Sequence, residues 1–190
     1  MIILGSSSPR RRDILNMFNL SFKVVKPNVD EEKIKNMFEI NCEKDCEKLV
    51  KSLSVAKLNA IKEEYPDDII LCADTLVFLN NAPLGKPKDR TDAINMLKKL
   101  AGNKHLVITG VSIYKNGEIQ TFSTTSIVRF RKYDKTIEKA ALKYVENGGS
   151  DGKAGSYGIQ DYGAIFVEKI EGDFYNVVGL PIEAVYRILS

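Results

Sequence analysis

The hydrophobic pattern of this chain changes period many times, from strand-like runs to helical stripes and back. Ile2-Ile3-Leu4 is a short apolar run ending in Gly5-Ser6-Ser7-Ser8-Pro9, and Ile14, Leu15 and Phe18 then recur at helical spacing. This predicts a strand followed by a helix from about Pro9 to Asn19, with Ser8 as N-cap and Pro9 as first helical residue. Phe22-Lys23-Val24-Val25 alternates as a second strand, and Asn28-Val29-Asp30-Glu31-Glu32 reads as an acidic loop. A stripe of Leu49, Val50, Leu53, Ala56, Leu58, Ala60 and Ile61 predicts a long helix from about Glu43 to Glu64, ending before Pro66 and carrying Lys57 on its polar face. Ile69 to Ala73 is continuously apolar, as in a strand buried on both faces, and would deliver Asp74 and Thr75 at its end.

Leu76 to Leu79, the turn Asn80-Asn81 and the segment up to Leu84 predict a hairpin, followed by a fixed turn at Gly85-Lys86-Pro87. A helix is expected from about Thr91 to Leu100. His105 to Tyr114 and Glu118 to Arg131 flank Asn116-Gly117, the strongest hairpin signal in the chain. Asp134 would cap a helix ending at Gly148-Gly149. The tail holds Ser156-Tyr157-Gly158-Ile159-Gln160, a strand from about Ala164 to Ile170, a turn at Gly172-Asp173 and a last helix from Pro181. Buried strands that alternate with helices but are interrupted by two hairpins make an α/β chain with a mixed sheet. Neither G-x-G-x-x-G nor a P-loop motif occurs, which argues against a Rossmann or P-loop reading.

Composition narrows the possibilities. At 190 residues with 44% hydrophobic content, the chain suits one globular domain, or one domain with a small lobe. A net charge of +3 does not suggest a nucleic-acid binder. No apolar run matches a membrane span or a signal peptide, so a cytoplasmic location is expected. Cys42, Cys46 and Cys72 form no paired C-x-x-C signature and read as reduced thiols. His105 is the one histidine, which disfavours both a zinc site and a Ser-His-Asp triad, and it reads as a strand-edge residue.

The candidate chemistry begins at the N-terminus. A strand feeding a hydroxyl-rich turn and a helix start aims free N–H groups at one spot, and Arg10-Arg11-Arg12 would make that spot attract phosphate. Arginines early in a helix oppose the macrodipole, yet a solvated basic turn would give the same motif. Asp74, next to Thr75 after an apolar strand, is placed where open α/β sheets bind ligands, although Asp also commonly caps or turns a chain there. Further polar groups on loops, namely Asp30-Glu31-Glu32, Lys57, Lys86 and Gln160, suit a phosphorylated ligand and magnesium.

Six segments give this scatter an order: Leu4 to Arg12, Val29-Asp30-Glu31, Ala73-Asp74-Thr75, Leu84-Gly85-Lys86-Pro87, Gly155 to Gln160, and Tyr175 to Pro181. Together they resemble the Maf family of nucleoside triphosphate pyrophosphatases over almost the whole chain, with Gly5 where the family usually has Ala. The resemblance implies one Maf-like domain over residues 1–190, with a fold related to the inosine triphosphate pyrophosphatases. That fold would be an elongated, twisted mixed sheet flanked by helices, with two lobes and a nucleotide cleft, usually in a homodimer. The implied reaction is attack of water at the α-phosphorus of a nucleoside triphosphate, releasing monophosphate and pyrophosphate with a divalent cation, Mg²⁺ or Mn²⁺.

Site roles follow from the same resemblance. Asp74 matches the catalytic acidic position, the proton acceptor for water or a metal-linked base, and Glu31 with Asp74 would hold the metal. Arg11, Lys57 and Lys86 match cationic positions that neutralise the triphosphate, with Ser8 supplying hydroxyl and N–H donors. No role falls on Arg12. Arg10, Thr75 and Gln160 occupy the positions that govern substrate choice, and they resemble the subgroup acting on dTTP and UTP, with modified uridine triphosphates as further candidates. The 7-methyl-GTP subgroup instead carries an aromatic residue, Gln and Glu. A Gln amide both donates and accepts, which suits a uracil or thymine edge. A non-catalytic nucleotide-binding regulator of septum formation is the alternative from another functional class. Tyr157 and Tyr162 flank Gln160 and read as packing residues, and Asp161 is a secondary metal candidate.

Overall fold

A computed structural model describes residues 1–189, and its backbone is a mixed sheet covered by helices on both faces. In chain order the elements are β1 (Ile2–Gly5), α1 (Pro9–Met17), β2 (Phe22–Val25), α2 (Glu31–Lys35), α3 (Glu43–Asn59), β3 (Ile69–Leu79), β4 (Ala82–Leu84) and α4 (Arg90–Leu100). There follow β5 (Lys104–Lys115), β6 (Glu118–Phe130), α5 (Lys135–Glu146), β7 (Val167–Glu171), α6 (Phe174–Val178) and α7 (Ile182–Leu189). The strand order is β2-β1-β3-β5-β6-β7, with β4 paired to β3. β1 runs parallel to both β2 and β3, and the remaining pairs are antiparallel.

Both expected hairpins form, and their turns use residues that tolerate left-handed backbone. Asn80 and Asn81 sit at φ 50° and 62°, and Asn116 and Gly117 at 54° and 84°. Asp134 accepts a hydrogen bond from the Ile137 amide and so caps α5 as its position predicts.

Several boundaries differ from the sequence reading. β3 does not end at Ala73 but continues for 11 residues to Leu79, so Asp74 and Thr75 lie mid-strand. The acidic stretch is only partly a loop, because Asp30 accepts from the Lys33 amide and caps the short helix α2, which contains Glu31. α3 stops at Asn59, and a separate 3₁₀ turn spans Lys62–Glu64. The strand expected from Ala164 begins at Val167 after another 3₁₀ turn, and α6 was not anticipated.

The two faces of β3 divide the core. Leu71, Ala73, Val77 and Leu79 join the large apolar cluster beneath α1, α4, α5 and α7. On the alternate face, Ile70 and Cys72 pack with Leu58 and Ile61, while Leu76 and Phe78 pack with Cys46 and Val50. Strand residues of one parity share a face, so Asp74 lies in this second row, between the two smaller clusters and under α3. Thr75 belongs to the row facing the large core.

The β3 edge explains how two polar residues fit mid-strand. β1 pairs with β3 only as far as Leu71, and β4 pairs with β3 only from Val77 onward. Cys72 to Leu76 therefore have β5 on one side and no strand on the other. The gap lies beyond the carboxyl end of β1, the end of the strands at which open α/β sheets bind ligands.

Two close approaches bring α3 and β1 into place. Gly110 pairs with Asp74 across β3 and β5, and a Cβ there would lie 2.6 Å from the Lys51 backbone nitrogen of α3. Backbone cannot yield as a flexible side chain can. Gly110→Ala is therefore expected to destabilise the fold by about 3 kcal/mol in urea unfolding, and an unchanged midpoint would contradict this packing. At Gly5, the space that an Ala methyl would need is filled by the Cys72 sulfur, whose thiol burial pushes up to about 12. The glycine is thus matched to its own neighbour.

Candidate active site

The turn after β1 is organised by Ser6 rather than Ser8. The Ser6 hydroxyl oxygen accepts from the Ser8 amide at 3.2 Å and from Arg11 Nη1 at 3.0 Å. Ser8 occupies the N-cap position of α1, but its hydroxyl makes no capping bond and is left for other partners. Pro9 follows at the first helical position, as the sequence implies.

The three arginines separate completely. Arg11 lies one turn before Ile14 and Leu15 on the buried face of α1, and it is itself only 8% exposed. Its Nε donates to the Gly179 carbonyl at 2.8 Å and its Nη2 to Thr75 Oγ1 at 3.1 Å, in addition to the Ser6 bond. Burial lowers its pKa, against a raising effect from Asp74, and an arginine stays charged at neutral pH regardless. Three of its five N–H groups are thus committed to fixing the fold. Arg10 is half-buried, where burial lowers its pKa and Asp161 and Tyr144 raise it. Arg12 is exposed.

Under α3 the structure brings three expected residues together. Lys57 Nζ lies 2.6 Å from Asp74 Oδ1 and 2.9 Å from Glu31 Oε1. The Lys57 and Asp74 side chains are only 12% and 16% exposed, so water screens this pair weakly. Burial raises the Glu31 carboxyl, but the Lys57 hydrogen bond and charge, with help from Lys35 and Lys86, hold it below the usual carboxylate range. Lys86, on the exposed turn after β4, thus reaches this group through its field. Among the described residues no set of three or more His, Cys, Asp or Glu side chains converges.

Thr75 faces away from this group. Its hydroxyl meets Arg11 and, at 3.0 Å, the hydroxyl of Thr109 on β5. Thr109 in turn donates to the Asn176 carbonyl at 3.2 Å. Asn176, fully buried on α6, donates through Nδ2 to the Val107 carbonyl and to Ser126 Oγ at 3.0 and 2.9 Å. Ser6, Thr109 and Asn176 are functional candidates that the sequence reading did not single out. The available signal for Thr109 was a polar residue inside the run Leu106-Val107-Ile108-Thr109-Gly110-Val111.

Gln160 is exposed and lies at the end of a tightly folded loop. Gly155 and Ser156 both adopt left-handed backbone, at φ 67° and 66°, and the Gly158 amide donates to the buried Tyr144 hydroxyl at 3.0 Å. Asp161 accepts from Tyr144 at 3.1 Å and from the Gly163 amide at 2.8 Å, and it pairs with Lys153 at 3.1 Å. It is therefore a loop-fixing residue within the field of Arg10, apart from the Glu31–Lys57–Asp74 group. Asp161 also lines a concavity of about 290 Å³ with Lys143, Tyr144 and Tyr162. Tyr157 is buried in the core, whereas Tyr162 is 53% exposed.

His105 is not a strand-edge residue. It is 2% exposed, its Nε2 pairs with the Tyr157 hydroxyl at 2.8 Å, and its ring meets Phe130 and Tyr157 edge-on. The three cysteines are free, as expected.

The family model for the Maf-like protein matches residues 1–190. The chain belongs to the Maf family. Its relatives include a dTTP/UTP pyrophosphatase of Thermosipho melanesiensis, 48% identical over 99% of this chain and 96% of that protein. Proteins of the same name from Aquifex aeolicus and Pyrococcus furiosus are 40% and 44% identical, covering 99% and 100% of this chain and 93% and 94% of theirs. The mixed sheet flanked by helices is the Maf-like α/β fold, and no described helix is long and apolar enough to cross a membrane.

Proposed function

We propose that the chain is a nucleoside triphosphate pyrophosphatase that hydrolyses dTTP and UTP to the monophosphate and pyrophosphate. The observation that carries this reading is the Lys57 ammonium held between Asp74 and Glu31, beside a strand edge left open between β1 and β4. The names of the relatives supply the substrate class, and Arg10, Thr75 and Gln160 are assigned to base selection. In this reading the whole chain acts as one domain, assembles as a homodimer around two-lobed protomers, and works in the cytoplasm on pools of free nucleotides, without nucleic-acid or membrane partners.

In the proposed mechanism Asp74 accepts a proton from the water that attacks the α-phosphorus. Lys57 Nζ, 2.6 Å from Oδ1, orients its carboxylate. Lys57, Lys86 and the unused N–H groups of Arg11 offset the charge that builds on the departing pyrophosphate, while the Ser8 hydroxyl and turn amides bind phosphate oxygens. Glu31 and Asp74 fit a divalent ion of the Mg²⁺ or Mn²⁺ kind, because such ions take one or two carboxylates and complete their shell with substrate phosphates and water. When bound, the ion would supply Lewis acidity at the phosphate chain.

The test is a nucleotide panel with Mg²⁺ or Mn²⁺, products separated and pyrophosphate measured. UTP and dTTP should give UMP and dTMP with one pyrophosphate each, at a higher kcat/KM than 7-methyl-GTP. Release of inorganic phosphate alone would reject the mechanism, and a preference for 7-methyl-GTP would reject the substrate assignment. Binding without turnover would instead favour a nucleotide-sensing regulator of septum formation.

A further inference from the structure

We infer that Thr109, on the face of the sheet opposite the Lys57 group, sets the substrate preference by fixing the polarity of the Thr75 hydroxyl. The Asn176 main-chain carbonyl can only accept, so the single Thr109 hydroxyl proton goes to it, at 3.2 Å. Thr109 therefore faces Thr75 with a lone pair, and the 3.0 Å bond between the two hydroxyls is donated by Thr75. Arg11 has no acceptor, so its Nη2 donates to Thr75 Oγ1 at 3.1 Å and takes one of that oxygen's two lone pairs.

What Thr75 has left is one lone pair and no proton. Toward a ligand it is an acceptor only. Reversing this polarity would take the Thr109 proton away from the carbonyl of a fully buried Asn176, so the arrangement is held by the core. The side chain of Asn176 is itself pinned by Val107 and Ser126, which keeps that carbonyl in place.

An obligate acceptor at a base-reading position selects a donor on the base. Uracil and thymine share one ring donor, the imide N3–H, whereas cytosine presents a lone pair at N3. The inferred partner of Thr75 is that imide, and the device rejects cytosine through two opposed lone pairs. This rests on the proposed reading of Thr75 as a base-selecting residue.

The test compares kcat/KM for UTP and CTP in wild type, Thr109→Val and Thr109→Ser. Valine removes the acceptor and frees the Thr75 proton to turn toward the ligand. UTP use should fall and CTP use rise, narrowing the UTP to CTP ratio by about tenfold, with serine restoring the wild-type ratio. A gain in CTP hydrolysis is a change that loss of stability alone does not produce. An unchanged ratio in folded Thr109→Val overturns the inference.

Should the valine variant not fold, wild type decides the matter with 3-methyl-UTP and 3′-deoxy-UTP. Rejection of the first by tenfold or more, with the second accepted, supports the imide as partner. Equal use of UTP and 3-methyl-UTP, or rejection of the 3′-deoxy compound alone, overturns it. The underlying reading fails separately, if wild type does not hydrolyse UTP or if Thr75→Val leaves the ratio unchanged.

Discussion

Asp74→Asn should lower kcat for UTP hydrolysis about a thousandfold, the scale expected when a positioned base is lost, while the chain stays folded. The substitution is nearly isosteric, so the strand register and the apolar clusters on either side of the residue are undisturbed. What changes is proton affinity, since an amide oxygen cannot take a proton from the attacking water at neutral pH. The lysine is not stranded by the change, because Glu31 Oε1 remains 2.9 Å from Lys57 Nζ. That second carboxylate spares the protein the several kcal/mol that an unpaired buried charge would cost. The measurement is pyrophosphate release under saturating UTP, with thermal unfolding of the same samples as the folding control. A kcat within about tenfold of wild type would remove Asp74 from the role of base.

The sequence placed Asp74 correctly in the chain and wrongly in the strand. A polar pair after Ile69 to Ala73 looks like a strand end, because strand prediction follows local hydrophobicity. The strand continues because β5 pairs with it from Ile70 to Phe78, a contact distant in the chain. Asp74 is tolerated there because Lys57 reaches it from α3. No local pattern encodes that meeting.

Arg11 teaches the opposite lesson, because its role was available from spacing. Residues three and four apart share a helix face, and Ile14 and Leu15 mark the buried face of α1. An arginine in register with them points inward and must find acceptors, which it does at Ser6, Thr75 and Gly179. Asn176 lay within a recognised motif but received no role, since its partners on β5 and β6 are about fifty or more residues away. Fold class was legible because motifs in order imply a common architecture, and Glu31 and Asp74 stood out within those motifs, whereas the contact of both with Lys57 is visible only in the fold. The second layer of buried hydroxyls was not legible, because it depends on which strands become neighbours.

Acid should destabilise this protein through His105 before its carboxylates take part. Burial lowers the pKa of His105 from 6.5 to about 3. The cause is visible in the packing: the ring is enclosed by Phe130 and Tyr157, and Nδ1 is buried without a hydrogen-bond partner among the described residues. A second ring proton would therefore be a charge with nowhere to go. Because the folded-state pKa is depressed, the unfolded chain binds more protons than the folded one at every pH between about 3 and 6.5. Stability is complete above that window and is lost as pH falls through it. The expected loss is about 2 kcal/mol between pH 7 and pH 5, growing to about 4 kcal/mol near pH 3. Glu31, held below the usual carboxylate range, adds its own acid lability only at lower pH, where unfolded carboxylates begin to protonate. The interval from pH 7 to 5 thus isolates the one histidine of the chain. His105→Gln keeps a polar partner for Tyr157 without a titrating ring, so its absolute stability falls through lost ring packing but its slope against pH in this interval should vanish. Urea unfolding at fixed steps of pH reads that slope directly. A variant that loses stability between pH 7 and 5 as steeply as wild type would place the acid sensitivity elsewhere in the molecule.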